Sequence, residues 1–142
     1  MKTKEVQIIM HSIQHDVSEE VEENRYTGTY ALVGNTHVIH YDEYLETQDG
    51  IAPQKNTNLL KITPTAMKLN KKGAITTRMH FQTGTQHQDY YETPFGTFDL
   101  TIKTQNFEME QTDDKLSVTI CYHLHLNYAS VSKCTMRIEI IL

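Results

Sequence analysis

The chain has no tryptophan, two cysteines and three prolines in 142 residues, and no apolar run near the ~18 residues of a membrane helix. Each shortage excludes something. Two thiols, Cys121 and Cys134, are too few for a disulfide framework. The few glycines and prolines are scattered singly, leaving no linker, repeat or low-complexity tract. Thirteen Lys and Arg against 18 Asp and Glu give a formal charge of −5, so the basic field that draws proteins to phosphate backbones is missing. No nucleic-acid or membrane partner is expected. The start, Met1 to Glu5, has charge but no apolar segment behind it, so no signal peptide is read and the expected location is the cytoplasm. In that reducing compartment both cysteines are expected as free thiols. One domain, residues 1–142, is the natural division, since domains usually run to ~100–200 residues.

What the sequence has in abundance is threonine, 19 residues, and tyrosine, eight, in short alternating runs. That is the composition of pleated, half-buried strands. The clearest run places Leu116, Val118, Ile120, Tyr122, Leu124, Leu126 and Tyr128 on one face, with Ser117, Thr119, Cys121, His123, His125 and Asn127 between them. Cys134, Met136, Ile138 and Ile140 repeat the pattern, after a connection read over Ala129 to Lys133. On this phase Cys121 and Cys134 face opposite ways and cannot be bridged.

Hairpin turns are expected at Val33-Gly34-Asn35-Thr36, Asn70-Lys71-Lys72-Gly73, Thr93-Pro94-Phe95-Gly96 and Thr112-Asp113-Asp114-Lys115. Two phase changes are expected to bend strands. One is a β-bulge between Lys103 and Asn106; the other is a break at Thr63-Pro64-Thr65. Glu46 to Asn56 reads as the longest loop, and acidic Val17 to Glu23 offers at most one helical turn. About ten strands at even spacing point to an all-β sandwich or antiparallel barrel.

Few residues suggest chemistry. His123 and His125 project side by side from one strand and are the weak metal candidates, with Cys121 on the same face, but no carboxylate at matching spacing completes a site. His37 and His40 are three apart and point to opposite faces. Asp42 and Glu43 are adjacent on a strand, diverge, and read as a solvated acidic edge. There is no Gly-x-Ser-x-Gly elbow around Ser130 or Ser132, and no Gly-rich phosphate loop. Tyr41, Tyr44, Tyr90, Tyr91 and Phe95 could stack on bases, but flanking cations are lacking, so core filling is the expected role.

Tyr91-Glu92-Thr93-Pro94-Phe95-Gly96, followed by Leu100 and Thr104, resembles the YwiB-like family of small bacterial proteins. Gly28-Thr29-Tyr30, Tyr41-Asp42-Glu43 and Met79-His80-Phe81 support the resemblance, which runs over residues 4–140. It implies a calycin-type antiparallel barrel of about eight to ten strands, lipocalin-like in architecture, in a family without an established role or catalytic residue. Gly28-Thr29-Tyr30 lacks the tryptophan of true lipocalins, and Arg137 is the late arginine available to lie over Tyr30.

The reading that follows is a non-enzymatic barrel, without cofactor, monomeric or homodimeric, that binds a small apolar molecule or serves as an interaction module. The alternative is a metal-assisted hydrolase or isomerase using His123 and His125. By phase, candidate interior residues are Tyr41, Thr77, Met79, Phe81, Tyr91, Leu100 and Tyr122, joined by Ile75, Phe98 and Leu124. Arg78 and His80 point outward, and access is expected at the end flanked by Glu46 to Asn56.

Overall fold

Strict alternation of apolar and polar residues folds here into strands that bury one face and wet the other. The structure, a computed structural model, describes residues 3–15, 20–45, 54–127 and 129–142. Ten strands cover almost all of them: β1 Lys4–Gln14, β2 Glu22–Val33, β3 Thr36–Leu45, β4 Gln54–Ile62, β5 Ala66–Gly73, β6 Thr76–Gln82, β7 Gln86–Thr93, β8 Gly96–Gln111, β9 Lys115–Leu126 and β10 Ala129–Ile141. Each pairs antiparallel with the next, and β1 pairs with β10 from Gln7↔Ile141 to Gln14↔Cys134. The sheet is therefore a closed ten-stranded up-and-down barrel.

The turns follow the local chemistry with two displacements. Gly34-Asn35 joins β2 to β3 with Gly34 at φ 64°, and Pro94-Phe95 joins β7 to β8. Thr112 N–H donates to the Lys115 carbonyl at 2.8 Å, closing the β8–β9 turn. At the Lys71-Lys72-Gly73 segment, however, β5 continues to Gly73 and the turn is Ala74-Ile75, so Ile75 does not stand on the inner wall. The expected connection at Ala129 to Lys133 is likewise strand. The chain turns around Asn127, whose φ of 55° is the left-handed conformation that asparagine tolerates, and a register shift between Ser130 and Ser132 follows. Thr63-Pro64-Thr65 is a complete hairpin turn rather than a break within one strand. The β8 bulge falls where the phase change puts it, between Thr104 and Asn106. Glu22 and Glu23 belong to β2, whereas residues 16–19 of the acidic segment and 46–53 of the long loop lie outside the described residues, as does Tyr128.

Inside, the barrel is sealed over roughly half its length. Ile8, Ile39, Leu60, Met67, Phe81, Leu116, Ile120 and Ile138 are all fully buried in one cluster at the end that carries the β2–β3, β4–β5, β6–β7 and β8–β9 turns. Tyr122, Leu124 and Leu126, toward the other end, and Met136, the register partner of Ile120, only lean against that cluster. The expected burial of β9 and β10 is thus graded. Ile120 and Ile138 are buried, Tyr122, Leu124 and Met136 are half-buried, Arg137 is exposed, and His123, His125 and Glu139 are half-buried on the outer wall.

Neither cysteine is in a disulfide, Cys134 being buried and Cys121 half-buried. Their register neighbours are Tyr122 and Thr135, which fixes them on opposite faces. Denatured but unreduced protein should therefore label with two equivalents of thiol reagent, and zero would mean the β9–β10 register is wrong. Gly28 gives a second check, because a Cβ there would sit 2.4 Å from the His40 carbonyl oxygen and 3.1 Å from Tyr41 Cβ. Gly28→Ala should destabilise the barrel by ~1–3 kcal/mol in a denaturant titration. Gly34→Ala meets open space and should cost only the ~1–2 kcal/mol of a positive φ.

Candidate functional site

The end opposite the sealed core has a different inner wall. Parity along β3 continues from Ile39 and Tyr41 to Glu43, so this carboxylate points into the barrel rather than to a solvated edge. Its neighbour Asp42 does face out, 3.4 Å from Lys55 Nζ. Along β4 the same parity turns Asn56 and Asn58 inward, both fully buried, and along β5 it turns Lys71 inward. Glu43 Oε1 accepts from Lys71 Nζ at 2.9 Å and from Asn56 Nδ2 at 3.1 Å, while Tyr26 O–H donates to Oε2 at 3.3 Å.

Glu43 and Lys71 each expose only 17% of the side chain, so their attraction is weakly screened. Burial pushes the Glu43 carboxyl up, but the Lys71 charge and the donated hydrogen bonds outweigh it and hold the carboxyl below its ordinary 4.5. Burial, reinforced by Glu43, pushes the Tyr26 hydroxyl up to about 12 and also raises Tyr41 and Tyr91. All three tyrosines are therefore neutral hydrogen-bonding groups at physiological pH.

Three buried side chains on this inner wall have polar atoms without a partner: Asn58 Nδ2 and Oδ1, Thr104 Oγ1 and Ser132 Oγ. Asn58 is near enough to Glu43 to favour its charged form, yet it makes no hydrogen bond of ordinary geometry. A buried polar group left without a partner costs ~1–3 kcal/mol, so these atoms are a net cost to the fold. A cavity of about 340 Å³ on the β1, β9 and β10 side of this end is lined by Ser12, Ile13, Gln14, Glu20, Glu22, Tyr122 and Cys134. Tyr122 connects the two, being the register partner of both Thr104 and Cys134. Burial, then Cys134, raises its hydroxyl pKa as well.

Apart from Ile75, which lies in the β5–β6 turn, the residues expected inside do face inward, with different surroundings. Tyr122 lines the cavity. Tyr41 is buried against Tyr26 with ring centroids 4.8 Å apart, and Tyr91 is half-buried. Thr77 is buried but its hydroxyl is committed to the Tyr90 carbonyl at 2.8 Å. Phe81 and Leu100 belong to the closed core, Phe81 edge-on to Tyr122 at 5.1 Å, and Met79 packs against that core. Of the other aromatics, Tyr44, Tyr90 and Phe95 are exposed, so core filling holds only for Tyr41 and Tyr91.

His123 and His125 stand on the outer wall, with His123 flanked in register by Lys103 and Lys133. Two ammonium groups oppose a cation there, and no group of three or more His, Cys, Asp or Glu that could hold a metal occurs among the described residues. His37 is buried with Nδ1 2.7 Å from Tyr30 Oη, and His40 is exposed. Arg137 does not reach Tyr30. It pairs with Glu139 at 3.1 Å on the outer face, and the cation over the Tyr30 ring is Lys4, 5.9 Å from its centroid.

A carboxyl held low contributes stability above its unfolded pKa that disappears as pH falls through the folded one. Glu43 should therefore add to acid unfolding below about pH 4.5. Glu43→Gln should flatten that part of the stability–pH profile. At neutral pH it should cost ~3 kcal/mol, the lower end of the range for stranding one partner of a buried pair. An unchanged acid limb would show that Glu43 is solvated.

Comparison with known proteins adds family and fold. The chain is 26% identical over 114 residues, covering 80% of its length and 76% of the relative's, to the uncharacterised β-barrel protein YwiB of Bacillus subtilis (strain 168). The crystal structure of the ywiB protein from Bacillus subtilis superposes with a TM-score of 0.77 at 22% identity, covering 98% of this chain and 92% of that one. At that identity the likeness speaks for the barrel alone. A family model described as a domain of unknown function, DUF1934, matches residues 6–138, and on that match the chain belongs to the DUF1934 family.

Proposed function

We propose that this barrel is a non-enzymatic binding protein that admits one small molecule through its polar end. The observation that carries the reading is the contrast between the two halves of the interior. One half is closed by fully buried aliphatic side chains, and the other has a cavity of about 340 Å³ lined in part by Tyr122 and Cys134, with the unpartnered hydroxyls of Thr104 and Ser132 next to them in register or along the strand. That volume is at the lower end of the ~300–1,000 Å³ usual for ligand sites.

The chemistry of the wall defines the guest. Tyr122 and Ile13 offer apolar surface and Ser12 and Gln14 neutral donors and acceptors, while the hydroxyls of Thr104, the register partner of Tyr122, and of Ser132, two residues from Cys134, stand next to this lining. Glu22 and Glu20 at the cavity favour a neutral or cationic group over an anion. The guest fitted to this wall is amphipathic, with an apolar body and a polar or positively charged head. A purely apolar molecule would leave the same hydroxyls and amide unpaired.

The test is a titration with Nile red, a neutral dye whose emission reports an apolar site. Saturable binding with one dye per chain is expected. Ser12→Trp should abolish it by filling the cavity while the thermal transition is retained, and Gln14→Trp at the rim provides a second filling variant should the first fail to fold. Absence of saturable binding, or binding indifferent to filling in a folded variant, would overturn the reading.

A further inference from the structure

The barrel wall is not evenly laced. Between β6 and β7 the ladder consists of Thr76↔Glu92 and Thr77↔Tyr91, after which the strands part. At the far end the gap closes through β8, where Gly84 N–H donates to the Thr104 carbonyl at 3.0 Å, Thr104 N–H to the Thr85 carbonyl at 3.0 Å and Phe107 N–H to Thr83 Oγ1 at 2.9 Å. What remains is a lateral window between residues 78–82 and 86–90. It opens into an outer groove of about 590 Å³ whose lining includes Lys61, Lys68, Arg78, His80, His87 and Asp89.

The charge of this groove runs against the charge of the protein. In a chain with net charge −5, three permanent cations, Lys61, Lys68 and Arg78, line one groove against a single carboxylate. That carboxylate, Asp89, is taken up by Arg78, whose Nε is 3.1 Å from Oδ2. Lys61 and Lys68 are directly opposite one another across β4 and β5, and neither has an ion pair among the described residues. Like charges opposed on adjacent strands repel and destabilise a sheet, so packing gives no reason for the pair. Across β5, Lys68 is the register partner of His80, whose ring is 5.9 Å from that of His87. His87 Nε2 is hidden from solvent and lacks a hydrogen-bond partner, with Asp89 Oδ2 too distant at 3.7 Å.

We propose that the groove at the β6–β7 window is a binding site for a phosphate group, separate from the cavity at the barrel's polar end. Two flexible ammonium groups, a guanidinium already oriented by Asp89 and two imidazole N–H groups around one recess suit a tetrahedral dianion with several acceptor oxygens. The anion would remove the repulsion between Lys61 and Lys68 and give His87 Nε2 its missing partner. Free phosphate and the phosphoryl end of a small monoester present the same oxygens to these donors.

Titrations with inorganic phosphate and with phenyl phosphate, followed by NMR of the histidine ring protons and by calorimetry, test the proposal. His80 and His87 should shift together and saturably. Tighter binding of phenyl phosphate identifies a monoester site, and equal or tighter binding of the inorganic ion identifies phosphate itself. The double variant Lys61→Gln/Lys68→Gln, which relieves a repulsion and should fold, is expected to weaken binding about tenfold or more. Lys103→Gln/Lys133→Gln, the same charge change at the two outer-wall lysines that flank His123, should weaken it less than about twofold. Shifts that never saturate, or equal losses in both variants, would reduce the effect to general screening and overturn the proposal.

Discussion

Closure of the sheet is the constraint from which everything else in this molecule follows. Pairing of β1 with β10 forces all ten strands into one ring, and a ring of that size is wider than the ~8 strands whose inward side chains just fill the interior. Large aliphatic side chains close one half. Where polar residues take over the inner positions, the wall must satisfy its polar atoms locally or leave them unpaired. Glu43, Lys71, Asn56 and Tyr26 satisfy one another, whereas Asn58, Thr104 and Ser132 do not. The two halves of the interior thus differ in kind, one a closed aliphatic core and the other a polar wall with buried atoms left unpaired.

Closure also limits how defects can be accommodated. An extra residue in an antiparallel ladder must be absorbed somewhere, and the register shifts in β8, between Thr104 and Asn106, and in β10, between Ser130 and Ser132, both flank β9. The β8 shift accompanies the hydrogen bonds by which Thr104 and Phe107 reach the Thr83 to Thr85 turn. β8 therefore closes the sealed end of the β6–β7 gap, and β7 need not follow β6 along its whole length. The bulge and the window are linked features of one barrel.

Much of this was legible because the period of a strand is two. The phase of Leu116, Val118 and Ile120 located the core, Gly34-Asn35 and Pro94-Phe95 located turns, and the mismatch between Ile102 and Phe107 located the bulge. The polar interior was missed where residue type was allowed to override phase. Glu43 shares the parity of Tyr41, and Asn56 and Asn58 share that of Leu60 and Ile62, so the signal was present. Lys71 was hidden by a different error, since reading Asn70 to Gly73 as a turn removed it from a strand that in fact runs to Gly73. The window had no local signal. It depends on where a ladder ends, which is decided by β8 some 20 residues away in sequence.

The central claim is that the polar end of the barrel is an open chamber whose hydrogen-bonding groups await a partner. A high-resolution crystal structure of protein purified without denaturation tests it most directly, at the density above Tyr122. The account predicts ordered non-protein density, from a small molecule or from bridging water, within hydrogen-bond distance of Ser132 Oγ and Thr104 Oγ1. Tyr122, Leu124 and Met136 closed across an empty centre, with those two hydroxyls bonded to neighbouring protein groups, would contradict it.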